Sequence, residues 1–99
     1  VSFHGGLAKA ENSPTETIKA KVLVLHGADD PYVSVKEIEA FQNEMRATKA
    51  DWQMVYYASA VHSFTHKDAG NDNNKGAAYN ELADKRSWEA MKAFFKEVL

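Results

Sequence analysis

Residues 21–33 read KVLVLHGADDPYV. Val22-Leu23-Val24-Leu25 is a continuous apolar, β-prone run, the pattern of a strand covered on both faces, as in a parallel sheet flanked by helices. The turn HGADDP follows, with Gly27 expected to permit a sharp backbone bend. The strand therefore delivers two neighbouring acids, Asp29 and Asp30, at its carboxyl end. Functional groups of open parallel sheets collect there.

Helix signals begin directly afterwards. Ser34 and Glu37 form an S-x-x-E capping box, with the Glu37 carboxylate expected to reach back to the cap, and Val33 and Ile38 occupy the positions of a hydrophobic staple. Val35, Ile38, Phe41 and Met45 are expected to bury one face, while Lys36, Glu39, Asn43 and Arg46 meet water. The helix should end within 48–50. WQMVYY, residues 52–57, is aromatic and β-branched and reads as another strand, leading through 58–61 to His62 at its end. Residues 66–76, HKDAGNDNNKG, form a polar surface loop. The final helix starts within 77–81 and runs to about Val98. Leu82, Trp88, Met91, Phe94, Phe95 and Val98 are expected to supply its broad buried face.

Upstream, Val1 to His4 alternates like a strand and is broken by Gly5-Gly6. Residues 7–20 read as a connection with one helical turn. Strands alternating with helices imply an α/β fold, here about three parallel strands joined by right-handed crossovers. The chain opens on a strand without an initiator Met, so the expectation is a portion of a longer domain, with one sheet edge left open.

Ninety-nine residues of which 44% are hydrophobic and 26% charged allow one domain with a modest core. A net charge of −2 provides no electrostatic footprint for nucleic acid or an anionic membrane. Apolar runs such as Val22 to Leu25 are far too short to span a bilayer. The absence of cysteine excludes disulfides and thiolate metal sites, and fits a reducing cytoplasm.

Asp30 and His62 are the candidate chemistry. A histidine base needs a carboxylate on its Nδ1–H to fix the tautomer and stabilise the imidazolium, and acid before histidine is the chain order of α/β-hydrolases. The alternative is that Asp30 merely organises its turn and His62 ends a strand. Residue physics alone also leaves Asp29 as a rival acid. No nucleophile is legible: none of Ser2, Ser13, Ser34, Ser59, Ser63 and Ser87 sits in a G-x-S-x-G elbow, and no cysteine replaces them. His4-Gly5-Gly6 matches an oxyanion-type HGG string but reads as a strand end with a glycine turn. His62 and His66 have the spacing of a helical metal pair, but Ser63-Phe64-Thr65 disfavours helix and no glutamate follows His62, so no metal is expected.

VSFHGGL, KVLVLHGADDPYV, WQMVYYASAVHSFTH and AAYNELADKRSWEAMKAFF resemble, in that order, the C-terminal half of the dienelactone hydrolase family, carboxylic-ester hydrolases of the α/β-hydrolase fold. The resemblance implies that Asp30, in the G-x-x-D turn, is a triad acid and that His62, in an H-x-F segment, is the triad histidine. It places the nucleophile, cysteine or serine, in an elbow before the strand resembled by VSFHGGL, hence in an N-terminal half that this chain lacks. His66 stands where members acting on dienelactone carry an arginine for the substrate carboxylate, so it becomes a substrate-binding candidate and dienelactone itself a doubtful substrate. The expected activity is hydrolysis of a small ester or lactone through an acyl-enzyme, without cofactor or metal. This chain would supply acid and base and be inactive alone. The alternative is a non-catalytic interaction module or inactive fragment, pairing through its sheet edge with itself or with the missing half.

Overall fold

In the computed structural model, residues 1–9 and 16–99 are described. Three strands lie side by side in chain order, β1 (Ser2–Phe3), β2 (Lys21–Gly27) and β3 (Asp51–Tyr57), and every pairing is parallel. β2 and β3 are in register from Lys21 opposite Asp51 to Gly27 opposite Tyr57. Two helices cover the sheet, α1 (Val35–Ala47) and α2 (Glu81–Val98).

β2 is central and nearly all buried, so its alternating side chains supply a core on each face. Leu23 and Leu25 pack with Tyr57, Ala60, Phe64, Ala83 and Phe94 under α2. Val24 packs with Leu7 and Val33, joined by Ile38 and Phe41 of α1. The apolar run in β2 thus holds three layers together. Among the described residues no helix is long and apolar enough to cross a membrane.

The start of α1 follows the sequence in part. Ser34 caps it, its hydroxyl accepting from the Glu37 amide at 3.1 Å, and Val33 and Ile38 meet in one cluster. Glu37 does not reach back to Ser34. Its carboxylate accepts from the Leu7 amide at 2.8 Å, tying α1 to the segment after β1. Val35 is 73% exposed instead of buried, because the sheet beneath α1 is met by Ile38 and Phe41 further along, and Met45 is buried beyond them.

Helix α2 departs more from its expected face. Asn80 caps it, accepting from the Ala83 amide at 2.9 Å. The buried residues are Ala83, Ser87 and Phe94, while Leu82, Trp88 and Phe95 are 56%, 54% and 40% exposed. The reason is angular. Trp88 follows Ser87 and Phe95 follows Phe94, so each stands about 100° around the helix from a buried neighbour. A narrow sheet covers one stripe, and small residues bring the helix close to it.

Residues 7–9 and 16–20 carry no helix, and the rest of the expected helical turn lies outside the described residues. The polar loop contains two short 3-10 turns, Lys67–Ala69 and Asn73–Lys75.

Candidate active site

The acid turn is built by a close approach of two backbones. The Ala28 amide donates to the Tyr57 carbonyl, the Asp29 amide to Ala60, and the Asp30 amide back to Gly27. A Cβ on Gly27 would stand 2.7 Å from the carbonyl oxygens of both Ala60 and Val61. Gly27 is therefore needed for proximity. The bend expected from its φ freedom is not what it supplies, since the positive-φ glycines are Gly70 and Gly76.

His62 stands beyond the strand, not at its end. β3 stops at Tyr57, Ser59 turns the chain at φ 63°, and His62 forms an isolated parallel bridge with Ala77. Its amide donates to the Gly76 carbonyl and its carbonyl accepts from the Ala78 amide, so the backbone is gripped on both sides.

The two segments bring Asp30 and His62 together. His62 Nδ1 lies 2.9 Å from Asp30 Oδ2, with the Asp30 side chain fully buried and His62 32% exposed. The second carboxylate oxygen, Oδ1, accepts from the Tyr32 amide at 2.8 Å. Asp30 is thus held at both oxygens, and Asp29, exposed, directs its amide to Ala60. A buried carboxylate bonded to Nδ1 leaves the other ring nitrogen of His62 to exchange a proton with a reacting group.

Two more rings stand against His62. Tyr32 meets it edge-on with centroids 5.3 Å apart, and its hydroxyl donates to the Lys75 carbonyl at 3.2 Å. His4, at the end of β1, lies 5.8 Å from His62 and 4.9 Å from His66. His4 Nε2 is 2.8 Å from the Thr65 hydroxyl. Burial, then the nearby His66 and His62, hold the His4 pKa below its ordinary value of 6.5. His4, Thr65 and His66 share a cleft of about 430 Å³ with Phe3, Asp84 and Trp88. Among the described residues no group of three or more histidines and carboxylates is arranged to hold a metal ion.

Three of the candidate serines are otherwise engaged or badly placed. Ser34 caps α1, Ser87 is buried and donates to the Asp84 carbonyl at 3.0 Å, and Ser63 sits in a left-handed turn at φ 60° beside His62.

The sequence profile of the dienelactone hydrolase family matches residues 1–99. This chain belongs to the dienelactone hydrolase family. It is 38% identical to the uncharacterised Caenorhabditis elegans protein K02A2.1 over 98 residues, which is 98% of this chain and 62% of that protein. Among solved structures it resembles a dienelactone hydrolase-like promiscuous phosphotriesterase, P91, from metagenomic libraries. That match has 47% identity and a TM-score of 0.76, over 82% of this chain and 34% of the other. A further solved structure, m3DLH, gives 44% identity and a TM-score of 0.74, over 80% of this chain and 33% of that one. The chain thus spans about three-fifths of the nematode relative and a third of the solved chains.

For a dienelactone hydrolase family member, three residues near the site escaped the sequence reading. In the sequence His4 reads as a strand end opening an HGG string, Tyr32 only follows the HGADDP turn, and His26 is read as the first residue of that turn. His26 is 2% exposed on β2, and its Nδ1 finds no hydrogen-bond partner among the described residues. No local spacing rule marks any of them, because their neighbours come from other elements.

Proposed function

We propose that this chain supplies the acid and base of a carboxylic-ester or lactone hydrolase whose nucleophile lies outside these residues. The observation that carries the reading is the 2.9 Å contact between His62 Nδ1 and the buried Asp30 carboxylate, in a chain of this family. The longer relatives and the absence of a nucleophile elbow support a missing N-terminal half.

In the intact enzyme His62 takes the proton of a cysteine or serine nucleophile, which attacks the substrate carbonyl carbon. Asp30 holds the imidazolium that results. The tetrahedral intermediate collapses, His62 returns the proton to the departing alkoxide, and an acyl-enzyme remains. Water, deprotonated by His62, attacks the acyl carbon; the acid is released and the nucleophile regains its proton. His66, bordering the cleft that His4 and Thr65 also line, is the residue of this chain proposed to meet the substrate. No step requires a cofactor.

A phosphotriester is a second substrate class. The name of the P91 neighbour favours it, since the same nucleophile and base can be directed at phosphorus. A non-catalytic module pairing through the β1 edge is the competing reading, supported by β1 having one strand neighbour among the described residues.

The deciding experiment is His62→Ala in the longest natural protein that contains these residues, assayed with a chromogenic ester and a chromogenic phosphotriester. Loss of turnover is expected with the ester; unchanged turnover removes the hydrolase reading. The 99-residue chain alone is expected to give no covalent acyl adduct with an activated ester by mass spectrometry.

A further inference from the structure

The Asp30 bond fixes one nitrogen of His62 but leaves the tilt of the ring to whatever touches its faces. Two rings do so, Tyr32 and His4. Tyr32 is 60% exposed, so it is a weak stop. His4 is rooted in the sheet, its amide donating to the Leu25 carbonyl at 2.9 Å.

The segment that carries His62 also needs support. Ser63 at φ 60° turns the chain through a left-handed conformation that a side chain disfavours, and the turn closes with the His66 amide donating to the Ser63 carbonyl at 2.9 Å. His4 itself is at φ 41°. Strain on both sides of one side-chain contact persists only where the surroundings over-determine it. That contact is His4 Nε2 to Thr65 Oγ1 at 2.8 Å, reinforced by the His4 ring meeting Phe64 edge-on at 5.1 Å.

We propose that His4 is a positioning residue for His62: its ring, standing edge-on to His62 and His66 and hydrogen-bonded to Thr65, fixes the 62–66 turn and the tilt of the His62 imidazole. The inference rests on the proposed hydrolase role of His62 and deepens it.

The charge state fits the task. Burial and the two neighbouring histidines favour a neutral His4, opposed by Asp30 and by its own backbone carbonyl, and Asp84 of α2 borders the same cleft. A neutral ring does not repel the imidazolium that forms on His62 during turnover. A hydroxyl both donates and accepts, so Thr65 can serve either neutral tautomer of His4.

The test has two parts. In the intact hydrolase, His4→Ala and Thr65→Val should each lower kcat by about 10- to 100-fold, the cost of a misplaced catalytic group, with KM changed less than about threefold. The double variant should be little worse than the worse single one, because both break one contact. His4→Gln, whose amide can reach the Thr65 hydroxyl, should recover part of the loss. In the full 99-residue chain, the NMR resonances of the His62 ring should shift and broaden in His4→Ala, since one of the two rings that stand against it is gone.

If His62→Ala leaves turnover intact, the hydrolase reading fails and the inference falls with it. If His62→Ala abolishes turnover while Thr65→Val and His4→Ala leave kcat and the His62 ring resonances unmoved, His4 has no positioning role. Should His4→Ala fail to fold, Thr65→Val decides: an unchanged kcat overturns the proposal.

Discussion

Asp30 Oδ2 and His62 Nδ1 lie 2.9 Å apart across 32 residues of chain, and both are fixed by backbone contacts made elsewhere. Asp30 is buried and its other oxygen is taken by the Tyr32 amide, whereas Asp29 one residue earlier is exposed. The two aspartates should therefore separate cleanly by mutation. On the proposed function, Asp30→Asn in the intact protein keeps the volume and loses the charge proposed to hold the His62 tautomer, and kcat should drop about 10³- to 10⁴-fold. Asp29→Asn should change kcat less than about threefold. Equal losses from both would mean that the turn as a whole, and not the carboxylate, matters.

Gly27 sets how near the acid turn comes to the histidine segment. A methyl there meets the Ala60 and Val61 carbonyl oxygens at 2.7 Å, both of them backbone that cannot swing aside. Gly27→Ala should cost about 1–3 kcal/mol of stability through overpacking. It should also part Asp30 from His62. Urea unfolding reports the first, and the downfield Nδ1 proton of His62, expected to weaken or vanish, reports the second. A stable variant with that proton unchanged would show that the two backbones have slack.

The sheet and both helices were legible because β2 carries an unbroken apolar run and α1 opens with Ser34 and Glu37, signals that local chemistry writes directly. Asp30 and His62, which the structure brings into contact, are singled out in the sequence by their chain order, but physics does not choose Asp30 over Asp29; that preference comes from the family turn. Glu37 shows why a motif can be half right. Its spacing fits a capping box, yet the Leu7 amide offers a partner from another element, and no local rule contains that competitor. The same holds for His4, whose neighbours Thr65 and His66 are about sixty residues away in the chain. Helix α2 misled through composition: large aromatics at helical spacing look like core, while the buried stripe uses Ala83 and Ser87.

That stripe predicts an inverted ranking of substitutions on α2. Phe94 is 7% exposed in the main core, so Phe94→Ala should cost about 3–5 kcal/mol. Trp88 is 54% exposed, and Trp88→Ala should change stability by less than about 1 kcal/mol despite removing a larger side chain. Denaturant melts of the two variants of the 99-residue chain check the order. A larger loss at Trp88 would mean that its ring packs against this chain's own core.

His26 gives the fold a pH dependence of determinate sign. It is 2% exposed and its pKa is lowered from 6.5, chiefly by burial, then by His62, against the pull of Asp30 and Glu37. A histidine depressed in the native state binds its proton more readily when unfolded, so stability rises with pH in that interval. The contribution is complete above the unfolded value of about 6.5 and is lost as pH falls below it toward the folded pKa. His4, also lowered, acts in the same direction. Urea midpoints between pH 7.5 and 5.5 should fall, His26 contributing at most about 1.4 kcal/mol per pH unit. His26→Phe removes the titration together with the unpaired Nδ1, keeps a ring in the slot, and should cost less than about 1.5 kcal/mol at pH 7.5. Its slope below pH 6.5 should be shallower than the parent's, with the remainder owed to His4. An identical slope in the variant would mean that burial does not lower the His26 pKa in the native state.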